Sequence, residues 1–411
     1  MFDLFKGYSG LTLFASVLII LYGIYYVPID TFGTNAPIKM ALMALSIVVL
    51  LFYTFKVSKA LIFGTFYLIT QYVIMNFHPE GVTWNTYIYS VLLVVTYICF
   101  YNLVYIEKVF TIEHFIRLCK WMMMAYFVVC IIQQALILVG ITTFTPFNLI
   151  IPLDRGIGCQ SLAVEPSHFA RIMLVFYYAY IKCCEYKRGE GPFTFRELFS
   201  GEHKWVTIRF LWMMLTMGSG TAFVCLILFS LYFVRWHNWY YIVPILIVCY
   251  GLIQASGIEA LDRATSTIEA TATFDKKTIQ KTDGSAAARI SPIINSINAD
   301  FSKKETWFGY GVKYGEENHT YARQIGTLFD DYGLVFYIIS LLFCFSCAYN
   351  FWSLGCIFMF AGVGGSIGGN IQYAWELAMV MSCVKYFYNN RYNPEIYEEE
   401  ASPQPSPVEK E

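Results

Sequence analysis

Runs of about twenty apolar residues recur from one end of the chain to the other, the length that crosses about 30 Å of hydrocarbon. This one feature restricts the fold more than any other. Only 14% of the 411 residues are charged, where a soluble domain carries about 25%. So few charges cannot cover a water-facing surface. Short alternating segments of the kind that build a membrane β-barrel are absent from the sequence. The expected class is therefore an all-α polytopic membrane protein.

The length rule predicts about 12 transmembrane helices. They fall at Leu11–Val27, Ile38–Phe55, Leu61–Phe77, Tyr87–Ile106, Ile116–Gly140 and Ala163–Cys184. Then follow Trp205–Met217, Thr221–Val234, Tyr240–Ala255, Gly333–Tyr349, Trp352–Gly365 and Ile371–Tyr388. Gly218-Ser219-Gly220 separates the seventh from the eighth as a helix breaker. The first run lacks a small-residue cleavage site after it and reads as a retained helix.

Lys and Arg cluster at alternate junctions: Lys6, Lys56 and Lys59, then Lys108, Arg117 and Lys120, then Lys187, Arg188, Arg196 and Lys204, then Arg235, then Lys385 and Arg391. Short connections such as "HPEGVTW" carry none. The positive-inside rule then puts both termini in the cytoplasm. Residues 1–256 hold spans one to nine, 257–331 form a large outward loop, 332–388 hold the last three spans, and 389–411 are an acidic, Pro-rich tail expected to be disordered. Within the loop, "ALDRATSTIEATATF" and "SPIINSINADF" read as short helices, and "WFGYGVKYG" has too many glycines for one.

Net charge is −1 and no basic patch or recognition motif is present, so nucleic acid is not an expected partner. The 12 cysteines lie mostly inside apolar runs and read as small core residues. No Cys/His cluster or spaced acid pair suggests a metal, and Asp330 and Asp331 are adjacent. No cofactor is expected.

The polar residues at the mouth of the sixth span stand out. In "SLAVEPSHFAR" Glu165, His168 and Arg171 follow one another at intervals of three, on one side of a helix. Glu165 precedes Pro166 and should therefore sit at the helix start. Three stretches then carry a resemblance: "DRGIG" with "SLAVEPSHFA", "MGSGTAF" between two short spans, and "AAARISPI", "GYGV" and "NHTYARQIGTLFDDYGL" in the large loop. In this order they resemble the Wzy-type O-antigen and capsular polysaccharide polymerases, which are related to the O-antigen ligases. The resemblance covers roughly Asp154 to Leu334. One departure is Gly220 after Ser219, where many relatives have an Arg.

The resemblance implies a GT-C-like membrane glycosyltransferase of the bacterial inner membrane. Its substrate would be a polyprenyl-diphosphate-linked oligosaccharide, handled at the periplasmic face without metal or nucleotide. A chain-length regulator protein is a further implied partner. Arg289, His319 and Glu165 become the expected catalytic residues. Arg289 would neutralise the leaving diphosphate through its planar fork, and His319 and Glu165 would orient or deprotonate the acceptor hydroxyl. Arg155, Arg171, His168, Tyr310 and Asn318 become expected substrate contacts. A bland reading stands beside each: an acid favoured by a helix N-terminus for Glu165, and an ion pair with Glu376 for Arg171. Trp307, Phe308 and Tyr310 either stack on sugars or anchor the loop. The rival functions are a ligase passing finished glycan to another acceptor, and a transporter of lipid-linked oligosaccharide.

Overall fold

A computed structural model of the chain describes residues 9–25, 36–77, 84–141, 143–144, 149–150, 157–189, 191–233, 299–311, 325–351, 353–363 and 372–393. The described chain is helical apart from a two-residue antiparallel ladder, β1 (Thr143–Phe144) with β2 (Leu149–Ile150). The helices are α1 (Gly10–Gly23), α2 (Ala36–Tyr53), α3 (Lys59–Phe77), α4 (Trp84–Tyr105), α5 (Ile112–Leu138) and α6 (Pro166–Arg188). They continue as α7 (Phe195–Leu198), α8 (His203–Thr216), α9 (Gly220–Ser230), α10 (Lys304–Phe308), α11 (Ile325–Cys347), α12 (Leu354–Val363) and α13 (Gln372–Asn390). Every proposed span coincides with a helix except Tyr240–Ala255, which lies outside the described residues. Among the described residues, α3, α4 and α5 are by length and composition the three able to cross a membrane, and α1, most of α2 and part of α11 are apolar but shorter.

Local chemistry fixes the ends. Ser9 and Thr111 cap α1 and α5 by accepting from the backbone N–H three residues on. A Thr194/Glu197 capping box opens α7. The break between α8 and α9 falls where the glycines predict it, with Gly218 at φ 67°. The expectation of no helix in "WFGYGVKYG" needs correction at its start. Trp307 and Phe308 complete α10, and the helix ends at Gly309, whose φ is 79°. The two helices predicted earlier in that loop lie outside the described residues, except for 299–301 at the end of the second, which are not helical.

Two helices form the centre. In α6 every residue from Phe169 to Ile181 is buried, and in α13 every residue from Ala374 to Val384 is buried. A helix buried on all sides belongs in the interior of a bundle. By contrast α2, α3 and α5 turn Leu45, Phe52, Phe66, Ile69, Val128 and Ile132 outward. The outer helices thus offer an apolar exterior, as a bilayer requires. Aromatic packing ties α3, α4, α11 and α13 together through Tyr67, Tyr97, Phe343 and Trp375. The Tyr97 hydroxyl meets Ser382 Oγ at 2.6 Å, so its burial leaves that group satisfied.

Contacts also define two ends of the bundle. At one end lie the cation-rich connections, with ion pairs Lys56–Glu107, Lys187–Glu113 and Lys120–Glu202. At the other, the finish of α1 meets the approach to α6, where Tyr25 N donates to Leu162 O at 2.8 Å. α10 docks at this second end. Phe308 packs on Phe77 with ring centroids 4.9 Å apart, and Lys304 lies over the same ring.

Glycines allow that docking. Gly333 kinks α11 at φ 80°, and a Cβ there would collide with the Trp307 carbonyl. A Cβ on Gly309 would likewise strike the Asp331 backbone, and Gly311 N donates to Asp331 O at 3.0 Å. Gly333→Ala is expected to dislodge α10. Limited proteolysis of purified protein should then cut faster at Lys303 and Lys304. Unchanged cleavage would mean that the kink tolerates a side chain.

Candidate functional site

The end of the bundle where α6 begins holds Glu165, His168 and Arg171. Pro166 occupies the first helical position and Glu165 is the N-cap, extended at φ −149° and ψ 160°. This is the placement that a residue before proline must take. The Glu165 carboxylate makes no capping bond to α6. It accepts instead from the Ser167 hydroxyl, and His168 Nε2 lies 3.4 Å from the same oxygen. The Glu165 side chain is 49% exposed and the His168 side chain 21% exposed. Arg171, one turn further in, is buried at 3%. The file of three residues therefore runs from the mouth into the bundle.

The segment leading to Glu165 is held firmly. Ser161 N donates to Gln133 Oε1 at 2.8 Å, and Gln133 Nε2 returns a bond to Ser161 O at 3.1 Å. The Ser161 hydroxyl donates to Tyr126 O at 2.7 Å. Ser161 is thereby kept at φ 51°, a left-handed conformation that costs a non-glycine residue energy unless its surroundings impose it. Tyr126 in turn donates to the carbonyl of Gly23 at the end of α1. One chain of bonds thus links α1, α5 and the approach to α6.

A second polar feature lies close by. Lys39 of α2 and Glu376 of α13 are buried at 1% and 0%. Lys39 Nζ donates to Tyr22 O at 3.4 Å and lies 5.8 Å from the centres of the Tyr22 and Tyr25 rings. Among the described residues neither Glu376 oxygen has a hydrogen-bond partner. The bland pairing of Arg171 with Glu376 is thus corrected, since neither Glu376 oxygen takes a hydrogen bond from Arg171; the other charged residue buried beside the end of α1 is Lys39 of α2. Glu376 also abuts the end of α1, where a Cβ on Gly23 would meet its carboxylate.

Of the other expected residues, Tyr310 is exposed at 43%, beside α10. Phe308 is committed to packing on Phe77, and the Trp307 indole donates to Phe301 O at 3.0 Å. Arg155, Arg289, Asn318 and His319 lie outside the described residues. Among the described residues no group of three or more His, Cys, Asp or Glu gathers to hold a metal.

The sequence reading passed over Ser167, although it stands inside the Glu-Pro-Ser stretch. It also passed over Gln133 and Lys39. Both were visible as polar residues within apolar runs, where each needs a partner or a role. No protein-family model, curated protein or solved structure matches the chain.

Proposed function

We propose that the chain is a membrane glycosyltransferase that polymerises polyprenyl-diphosphate-linked glycan repeat units, with about twelve spans and a GT-C-like arrangement. The observation that carries this reading is the half-exposed Glu165 carboxylate, braced by Ser167 and His168 above a buried Arg171. A base needs to be reachable, oriented and aimed into a protected site. An arginine further in is expensive in an apolar bundle unless polar groups or a substrate use it.

In the proposed reaction an acceptor hydroxyl of a new lipid-linked unit attacks the anomeric carbon of the growing glycan. The bond from that carbon to the diphosphate oxygen breaks, and the lipid diphosphate leaves with the electron pair. Glu165, aided by His319, takes the hydroxyl proton. Arg289, assisted by Arg171 and Arg155, offsets the charge that grows on the leaving group. His168, Asn318 and Tyr310 contact the sugars. The site faces the periplasm of a bacterial inner membrane, both termini are cytoplasmic, and a chain-length regulator is a candidate partner.

The deciding experiment supplies purified protein with a synthetic polyprenyl-diphosphate repeat unit. A ladder of lipid-linked oligomers is expected, and it should form in excess chelator. Loss of the ladder in EDTA, with recovery on adding a divalent ion, would replace the metal-free mechanism. Single transfer to a different acceptor would move the assignment to ligase. Movement of intact substrate across a vesicle without new glycosidic bonds would move it to transporter.

Sidedness has its own test. Lys304 and Arg196 are both exposed, so labelling of cysteines placed there reports which side of the membrane each occupies. Lys304→Cys and Lys277→Cys should react with a membrane-impermeant maleimide in intact spheroplasts, and Arg196→Cys only after permeabilisation. Labelling of Arg196→Cys in intact cells would invert the arrangement and remove the site from the periplasm.

A further inference from the structure

We infer that Cys130 and Cys159 form a disulfide that staples the segment carrying Glu165 to α5. The two Sγ atoms lie 3.3 Å apart, both residues are buried, and they come from α5 and from the connection before α6. A disulfide needs its sulfurs about 2.05 Å apart, so the remaining approach is small.

The surroundings favour a fixed link. Tyr126, Cys130 and Gln133 are spaced by four and three residues and share one face of α5. All three hold the same short segment: Tyr126 and Gln133 bind Ser161, and Cys130 meets Cys159. Ser161 is already held in a costly backbone conformation by those bonds. A covalent tie two residues earlier in the chain would keep the segment in place against that strain. Glu165 follows only six residues after Cys159, so the tie positions the mouth of α6. It is a positioning device, since neither sulfur reaches the exposed carboxylate region.

The step needs an oxidant, and this inference rests on the reading above to the extent that this end of the bundle faces an oxidising compartment. The oxidant is a disulfide-bearing protein of the thiol–disulfide exchange class. The Cys159 thiolate attacks its S–S bond and displaces one sulfur, giving a mixed disulfide. The Cys130 thiolate then displaces the second sulfur. The two cysteines lose two protons and two electrons, and the oxidant becomes a dithiol. Because both thiols are buried once docked, exchange takes place while the connection between α5 and α6 is still undocked and Cys159 is reachable.

The test is a thiol count on full-length protein. Membranes are denatured in N-ethylmaleimide without reductant, digested and mapped. Of the 12 cysteines, all but two should be alkylated, and a cross-linked peptide joining Cys130 and Cys159 should appear two hydrogens lighter than the sum of its parts. Reduction should release both for alkylation. In a Cys159→Ser variant the cross-link should vanish and Cys130 should become alkylated. If that variant fails to accumulate, the wild-type map still decides. Alkylation of both cysteines without reductant overturns the inference, as does a cross-link between other cysteines in their place. The two readings fail separately. A cross-link in protein that makes no ladder leaves the disulfide standing without the polymerase. A ladder from protein in which both thiols are alkylated does the reverse.

Discussion

Glu165→Gln is expected to lower polymer formation by about two to four orders of magnitude, the usual contribution of a positioned general base. The amide keeps an oxygen for the Ser167 hydroxyl and nearly the same shape, so the mouth of α6 should stay built. Glu165 makes no capping bond, and its loss should cost the helix little. The competing account is an acid stabilised by the helix N-terminus, worth about 0.3–1 kcal/mol. That account predicts a small drop in thermal stability and a normal ladder, and this outcome would end the catalytic assignment. Turnover should fall more than apparent affinity, because the proton is taken only in the transition state. Arg289→Ala should abolish polymer in protein that inserts and purifies normally. Arg289→Lys should recover little, because an ammonium lacks the bidentate fork, and Lys277→Ala should be silent. The accumulated product then separates the rivals. A dead polymerase leaves single repeat units, whereas a dead ligase leaves long chains on the lipid carrier.

The helices were legible because apolar run length and glycine breaks act locally. The Glu165 placement was legible for the same reason, since Pro166 dictates the conformation of the residue before it. What could not be read is partnership across the bundle. The sequence suggested Arg171 as the partner of Glu376 because both are charges within spans near one end. Which charges come near Glu376 depends on how α2 packs near α1 and α13, and periodicity within one helix carries no information on that. The link from Gln133 to Ser161 is hidden for the same reason: it joins residues 28 positions apart. Phe308 shows the converse. Glycines around it suggested an open loop, yet a ring on α3 gives it a place to pack and extends the helix to it.

Lys39→Met should destabilise the protein by about 1–3 kcal/mol, the order of cost of a buried polar group left without compensation, because Glu376 is then buried without a nearby cation. The reason lies with Glu376, which is completely buried and has no hydrogen-bond partner among the described residues. Glu376→Gln should also destabilise, because the Lys39 ammonium then stays buried with only the Tyr22 carbonyl and two aromatic rings for company among the described residues. The double variant Lys39→Met/Glu376→Leu should recover most of the loss, since well-packed apolar side chains often replace a buried pair without penalty. Thermal unfolding of the purified variants, followed by tryptophan fluorescence in one detergent, measures this directly. A positive interaction energy, with the double variant more stable than either single one, is the expected outcome. Strict additivity would mean that the two charges do not sense each other. The double variant also shows what the pair is for. Wild-type ladder formation would make the pair structural and exchangeable. A folded, stable double variant with a shortened ladder would instead tie the pair to the mouth of α6, through Gly23 and the Tyr126 bond that joins α1 to α5.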